Sequence, residues 1–402
     1  MSGLNKSVCV VGLGYIGLPT ASLLGTKGYK VHGVDTSRHV VDTINKGLIH
    51  IVEPELDILV KSAVQSGNFA AGLEPKKADV FIIAVPTPLT SDHEPDLSYV
   101  EQATKMIAPY VTKGNLVILE STSPVGTTED VVAATLKDQG CDLDKDIYVA
   151  HCPERVLPGK IISEMVQNDR IVGGINSAAT EKAIEFYKTF VNGEVIATDS
   201  GTAELAKLVE NSFRDVNIAF ANELSLICDE KKISVWELIK LANRHPRVNI
   251  LNPGPGVGGH CIAVDPWFIV SQSPEQARLI KTAREINDHK PDWVVEKVKS
   301  SASKFKQPVI GCLGLAFKAD VDDLRESPAV EIVSKLMEQN VGEIIVSEPN
   351  LDSHDDFELL HHEEVIARSD IVLLLVDHKE YQSLRAADLK ETVLIDTRGA
   401  IA

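Results

Sequence analysis

Three sets of residues in this 402-residue chain have types and spacings that could do chemistry. The first is Gly12-Leu13-Gly14-Tyr15-Ile16-Gly17, which closes an apolar run and opens a helix-length stretch, with Asp35 eighteen residues beyond the last glycine. Glycines so spaced allow a tight turn and let a pyrophosphate approach a helix N-terminus, where unpaired N–H groups and the helix dipole favour negative charge. Asp35 would take the ribose hydroxyls and repel a 2′-phosphate, which favours NAD over NADP, while Arg38 nearby leaves a 2′-phosphate open. The alternative is a glycine turn that serves only the backbone. The second set is Lys207 and Asn211, i and i+4 on one helix face, with Glu204 one turn earlier. By itself such a stripe reads as a solvated face. The third is Cys261, just past the Pro/Gly-dense run 252–259, with Asp265 four residues on. A thiol placed where backbone can close around a ligand is a candidate nucleophile, although a lone cysteine is usually structural. Together the three sets suggest hydride transfer through a thiol-bound intermediate.

The elements that must position these residues follow from the hydrophobic pattern. Short β-branched runs at 8–11, 29–35, 79–85, 115–120 and 146–150 alternate with helix-length stretches, the rhythm of a parallel sheet covered by helices. Two of these runs end in Val85-Pro86-Thr87-Pro88 and Glu120-Ser121-Thr122-Ser123-Pro124, and a third in His151-Cys152-Pro153-Glu154-Arg155. Ligands in open α/β sheets sit beyond such carboxyl ends, and ordinary turn chemistry is the competing reading. The stretch 202–232 lacks Gly and Pro and reads as one long helix. Its remaining sides carry Leu205, Leu208, Val209, Phe213, Val216 and Ile218, which predicts burial over much of its surface. Ser234 and Glu237 make a capping box for a helix to Asn243. The run 252–259 must be a shaped loop, and 274–303 is helical again. The strand–helix rhythm then restarts at 308–317, 343–347, 370–377 and 393–396. The expected fold is α/β, two Rossmann-like doubly wound domains joined by a central long-helix domain, with boundaries at 1–199, 200–303 and 304–402.

Composition excludes several classes. With 40 Lys+Arg against 58 Asp+Glu the formal charge is −18, the wrong sign for holding nucleic acid by its phosphates. No apolar run approaches the ~20 residues of a membrane span, so no membrane insertion is expected. Met1 to Lys6 shows no signal-peptide pattern, which predicts a cytoplasmic protein. The six cysteines are scattered singly, with no C-x-x-C pair, so no metal site is expected.

These motifs resemble, across essentially the whole chain, the UDP-glucose/UDP-N-acetylmannosamine dehydrogenase family. The resemblance rests on Gly-Leu-Gly-Tyr-Ile-Gly-Leu-Pro, Val-Pro-Thr-Pro, Ser-Thr-Ser-Pro-Val-Gly, Cys-Pro-Glu-Arg, Glu-Leu-Ala-Lys-Leu-Val-Glu-Asn, Gly-Gly-His-Cys, and Phe317-Lys318 followed by Asp323-Leu324-Arg325-Glu326-Ser327-Pro328. Residues 243–270 are most similar to the branch acting on UDP-N-acetyl-D-mannosamine. The resemblance implies four-electron oxidation of a sugar C6 hydroxymethyl to a carboxylate with NAD, for surface-polysaccharide synthesis. Cys261 would capture the aldehyde as a thiohemiacetal that becomes a thioester. Lys207 and Asn211 would stabilise the oxyanion, Asp265 would help move protons, and Glu154 with Thr122 would position the hydrolytic water. NAD contacts implied are Gly12, Gly14, Tyr15, Ile16, Gly17, Asp35, Arg38, Thr87, Thr122, Glu154 and Arg325. Substrate contacts implied are Arg155, Lys207, Asn211, Arg214, Arg247, Asn249, Gly256, Gly258, His260, Phe317 and Lys318, with Arg247 arriving from a neighbouring subunit. The long apolar helix suggests a homodimer or higher homo-oligomer.

Two departures from the UDP-glucose branch are visible. Val264 stands where many of its members carry a Lys before the Asp, and the spacing from Arg247 to Cys261 is shorter. Both fit an altered sugar pocket. UDP-N-acetylglucosamine, UDP-N-acetylgalactosamine and UDP-glucose stay open as substrates, and a non-catalytic nucleotide-sugar sensor is the remote alternative.

Overall fold

The structure, a computed structural model, describes residues 6–143, 147–259, 261–389 and 392–401. The apolar runs of the first half become a single sheet of eight strands: β1 (Ser7–Val11), β2 (Lys30–Val34), β3 (Phe69–Gly72), β4 (Val80–Ile83), β5 (Leu116–Leu119), β6 (Tyr148–His151), β7 (Arg170–Gly174) and β8 (Val195–Asp199). Their order is β3-β2-β1-β4-β5-β6-β7-β8. Every pairing is parallel except β6 with β7. β4 and β5 are buried along their whole length, as strands covered on both faces must be. Two apolar clusters fill the two sides of the sheet.

The strand order reverses between β1 and β4, and the first helix, α1 (Gly17–Thr26), starts at that switch point. Gly12 is required there: its φ is +90°, and a Cβ would stand 2.5 Å from the Ala84 carbonyl oxygen at the end of β4. Gly17 is required as well, since a Cβ would meet Gly12 O at 1.8 Å.

The long helix α2 (Ser200–Lys231) follows, and the chain divides after Val209 into two compact units. The second unit holds α3 (Val235–Ala242), α4 (Asp265–Gln272), α5 (Arg278–Ala302) and α6 (Pro328–Glu338). It also holds a parallel sheet of β9 (Val309–Leu313), β10 (Glu343–Ser347), β11 (Ile371–Leu374) and β12 (Val393–Asp396), in the order β10-β9-β11-β12. This sheet repeats the construction of the first. Gly314, with φ +95°, packs against Val376 as Gly12 does against Ala84, and its N–H donates to Ser347 O at 2.8 Å as Gly12 N–H does to Val34 O at 2.8 Å.

The fold class expected from the pattern is therefore the fold observed. The run 308–317 leaves its strand at Gly314, because a positive φ turns the backbone out of the sheet. Ser234 caps α3 as expected, its hydroxyl accepting from Glu237 N–H at 3.3 Å. β3, β7, β8 and α4 were not anticipated. The expectation that α2 buries most of its surface needs correction: Leu208 is buried, but Leu205, Val209 and Phe213 are exposed, Phe213 by 70%. The reason is that polar residues take the buried side in the second unit. Asp215 accepts from Arg284 of α5 at 2.6 Å, Asn222 donates to Asn287 at 2.9 Å, and Lys290 donates to Ser225 at 2.6 Å.

Candidate functional site

The first unit assembles the glycine loop and its acid. One carboxylate oxygen of Asp35 accepts from Leu13 N–H at 3.1 Å and the other from Ser37 N–H at 2.9 Å. Each oxygen keeps a further acceptor position, enough for a ribose diol. The three glycines differ in what demands them. Gly12 and Gly17 are fixed by the protein's own backbone, whereas a Cβ at Gly14 would meet nothing within 4 Å. A glycine that packing does not require, at a helix N-terminus, suits the close approach of a pyrophosphate, so these residues fit NAD. Arg38 is the exposed first residue of the next helix, whose N-cap is Ser37.

The strand tips lie together. Thr87 Oγ1 donates to the Thr122 carbonyl oxygen at 2.6 Å, and Ser121 Oγ donates to Val85 O at 2.7 Å, which locks the ends of β4 and β5 to one another. Glu154, just past β6, is buried, and one oxygen accepts from Arg170 Nη1 at 2.8 Å, the other from Arg155 N–H at 2.8 Å. Arg155 also donates from Nη1 to Asp169 O at 3.2 Å. Cys152 is a core residue, its thiol pushed up to about 12 by burial, and His151 is held neutral, down to about 3, by burial. Neither carries acid–base chemistry near neutrality.

Glu204 corrects part of the stripe read on α2. It is buried and accepts from Gly126 N–H at 2.6 Å and from Thr128 N–H and Oγ1 at 2.7 and 2.6 Å. It thus caps the helical turn that follows the Thr122 tip. Lys207, one turn on, is half-buried.

In the second unit Cys261, half-buried, opens a helical turn whose first carbonyl accepts from Asp265 N–H at 2.8 Å. Asp265 is the buried first residue of α4, and its carboxylate accepts from Asn211 Nδ2 at 2.5 Å. The thiol-bearing turn, the carboxylate and the amide therefore share one locality. The glycine loop before them is shaped by close approach. A Cβ on Gly258 would meet Glu326 O at 2.4 Å and Phe317 Cβ at 2.8 Å, and Gly259, φ +81°, donates to Arg325 O at 3.0 Å. A Cβ on Gly256 would stand 2.8 Å from Pro328 Cβ. Arg325 donates from Nε and Nη2 to Asp323, the shortest contact being 2.6 Å. Arg214, Arg247, Asn249 and Lys318 are exposed; Arg247 and Asn249 belong to a loop that Asn243 staples by hydrogen bonds with Ile250 N–H and O at 2.7 and 2.9 Å. His260 lies outside the described residues.

Arg170 and Tyr187 were not singled out from sequence, and Glu120 figured there only as the first residue of a strand tip. The signal for two of them was present, an Arg opening the apolar run Ile-Val-Gly-Gly and a Glu closing Leu-Val-Ile-Leu. A charge next to a buried strand needs a partner.

The NAD-binding, central and UDP-binding domain models of the UDP-glucose/GDP-mannose dehydrogenase family match residues 6–191, 201–289 and 311–402. The chain is 57% identical over 397 residues to the UDP-N-acetyl-D-mannosamine dehydrogenase of Campylobacter jejuni, covering 95% of this chain and 97% of that one. It is 56% identical over 406 residues to the NDP-N-acetyl-D-galactosaminuronic acid dehydrogenase of Ralstonia solanacearum, covering 98% and 96%. A solved UDP-N-acetyl-mannosamine dehydrogenase from Staphylococcus aureus superposes with a TM-score of 0.90 at 43% identity, covering 98% of this chain and 96% of that one. No described helix is long and apolar enough to cross a membrane.

Proposed function

The chain belongs to the UDP-glucose/GDP-mannose dehydrogenase family and is an NAD-dependent nucleotide-sugar dehydrogenase, and from that premise we propose that it oxidises C6 of UDP-N-acetyl-D-mannosamine to the uronate, in the cytoplasm, for surface-polysaccharide synthesis. The observation that carries the covalent part is the cluster of Cys261, Asp265 and Asn211. NAD, when bound, supplies the hydride acceptor, twice per sugar. Gly12, Gly14, Tyr15, Ile16, Gly17, Asp35, Arg38, Thr87, Thr122, Glu154 and Arg325 would hold it.

The protein's own groups do the rest. The C6 alcohol loses a hydride and a proton to give the aldehyde. The Cys261 sulfur adds to that carbon while its proton passes to the oxygen, and Lys207 and Asn211 donate hydrogen bonds to the oxyanion as it forms. Asn211 uses one N–H on Asp265 and keeps the other for this purpose. Loss of a second hydride and the hydroxyl proton leaves the thioester, with Asp265 assisting proton movement. Water, positioned by Glu154 and Thr122, adds to the thioester; the C–S bond breaks, the thiol regains its proton and the carboxylate departs. One water is consumed and two hydrides and three protons are released per sugar. Arg155, Arg214, Arg247, Asn249, Gly256, Gly258, His260, Phe317 and Lys318 would bind the nucleotide sugar, Arg247 from a neighbouring subunit.

The functional division we propose is NAD binding over 1–199, the catalytic loop over 200–303 and nucleotide-sugar binding over 304–402. Exposed Leu205, Val209, Phe213, Phe220 and Ile227 recur at spacings of four and seven residues on α2, which keeps them on one face, and support a homodimer. A second reading of the substrate, N-acetylgalactosamine, is favoured by the Ralstonia relative's name. The test is Cys261→Ser: uronate formation from UDP-N-acetyl-D-mannosamine should stop while NAD binding persists, and wild-type turnover by that variant would remove the covalent mechanism.

A further inference from the structure

We propose that Arg170, Tyr187 and Glu120 form a buried positioning device that orients Glu154 and sets its strength as the base for thioester hydrolysis; the inference rests on the role given to Glu154 above. The contacts run in sequence. Arg170 is 2% exposed and donates from Nη1 to Glu154 at 2.8 Å and from Nη2 to Met165 O at 3.3 Å. Its guanidinium carbon lies 5.6 Å from the centre of the Tyr187 ring. Tyr187 donates its hydroxyl hydrogen to Glu120 at 2.6 Å, and Thr20 of α1 donates to the other Glu120 oxygen at 3.3 Å. The helix that begins at the dinucleotide loop is therefore joined to Glu154 through buried side chains of one unit.

One cation here faces two carboxylates. Arg170 and Glu154 form a compensated pair, and Glu120 is left to carry the excess. Burial pushes its carboxyl up to about 7, with the Arg170 charge opposing and the Glu154 charge adding. The remaining titratable neighbours are Cys152, pushed up to about 12 by burial, and Tyr187, raised well above its ordinary range by burial, so both stay protonated. When Glu120 ionises, Arg170 is shared between two anions, so its hold on the Glu154 carboxylate relaxes and that carboxylate is freer to accept from the attacking water. Each Glu154 oxygen already accepts one N–H and keeps one position free for that water.

The experiment is the pH profile of uronate release, with the acyl-enzyme followed by mass spectrometry, in wild type, Glu120→Gln, Arg170→Lys and Glu154→Gln. Wild-type release should rise through a limb near pH 7 that is absent in Glu120→Gln. Arg170→Lys should lose at least tenfold in kcat at nearly unchanged KM and accumulate acyl-enzyme. If Arg170→Lys does not fold, as judged by NAD binding, Glu120→Gln decides alone. An unaltered limb in Glu120→Gln overturns the proposal. Wild-type release by Glu154→Gln overturns the role of Glu154 itself; acyl-enzyme accumulation in Glu154→Gln beside wild-type behaviour of the other two overturns only the device.

Discussion

At the residue scale, the two cysteines in unusual company, Cys152 and Cys261, have different surroundings. Cys152 sits in the sheet core with a thiol held protonated, and Cys261 opens the turn that leads to Asp265. Sequence carried both as odd neighbours of His, Pro or Gly, and only packing separates them. His151 gives this scale a thermodynamic consequence. Its folded pKa, about 3, lies below the ordinary 6.5, so below pH 6.5 the unfolded chain binds a proton that the folded chain does not. Stability contributed by this site falls as pH drops from 6.5 toward 3, by ~1.4 kcal/mol per unit. Glu120 works the other way, since a raised carboxyl stabilises below its unfolded value of 4.5 and loses that stabilisation as pH rises through about 7. Urea denaturation of wild type and His151→Leu at pH 7.5 and 5.5 separates the two. The variant should lose about 1.4 kcal/mol less than wild type between those values, and an equal loss would show that His151 titrates freely.

At the element scale, most of what the sequence carried was position along the chain, and most of what it lacked was which element met which. The Gly-x-Gly-x-x-Gly turn, the end of β2 and the α3 cap were legible because each is a local rule of backbone geometry. β7 was not, because its apolar run is short, opens on the charge of Arg170 and ends in two glycines, and the partner of Arg170, Glu154, is sixteen residues away in sequence. α4 was hidden by Pro266, which reads as a breaker but occupies the first turn, where its missing N–H costs nothing. Glu204 was read with Lys207 by helical spacing, and its three hydrogen bonds to 126–128 turn it into a cap for a distant turn. Glu204→Ala strands two backbone N–H groups and should cost about 3 kcal/mol. Thermal unfolding checks it: a Tm within a degree of wild type would show that the cap is dispensable. Gly258→Ala forces a Cβ within 2.4 Å of Glu326 O and should disable the loop; the KM for UDP-sugar should rise by an order of magnitude or more.

At the scale of the whole molecule, the −18 formal charge excludes a polyanion held on the surface, yet says nothing against two pyrophosphate ligands. The local donors proposed for them are the glycine-loop helix N-terminus and the cations Lys207, Arg247, Lys318 and Arg325. The two sheets also explain why one construction need not bind the same ligand twice. Glu348 stands at the end of β10 as Asp35 stands at the end of β2, but it is buried and accepts from Leu315 and Ala316 N–H, from the N–H and side-chain amide of Asn350, and from His378. No acceptor remains for a ribose. The apolar face of α2 shows how far amphipathicity reaches: it told that the face was apolar, and could not tell that the face stays exposed on a single chain. Phe213→Asp places a charge in the proposed dimer seam, so light scattering should report monomer mass for the variant and dimer mass for wild type. An unchanged dimer would move the seam elsewhere.

The central claim is that one chain carries a nucleotide sugar through both oxidations. It is tested most directly by the amount of NADH formed per UDP-N-acetyl-D-mannosamine consumed. Two should form, with the uronate as sole product; one NADH per sugar, with aldehyde accumulating, would contradict it.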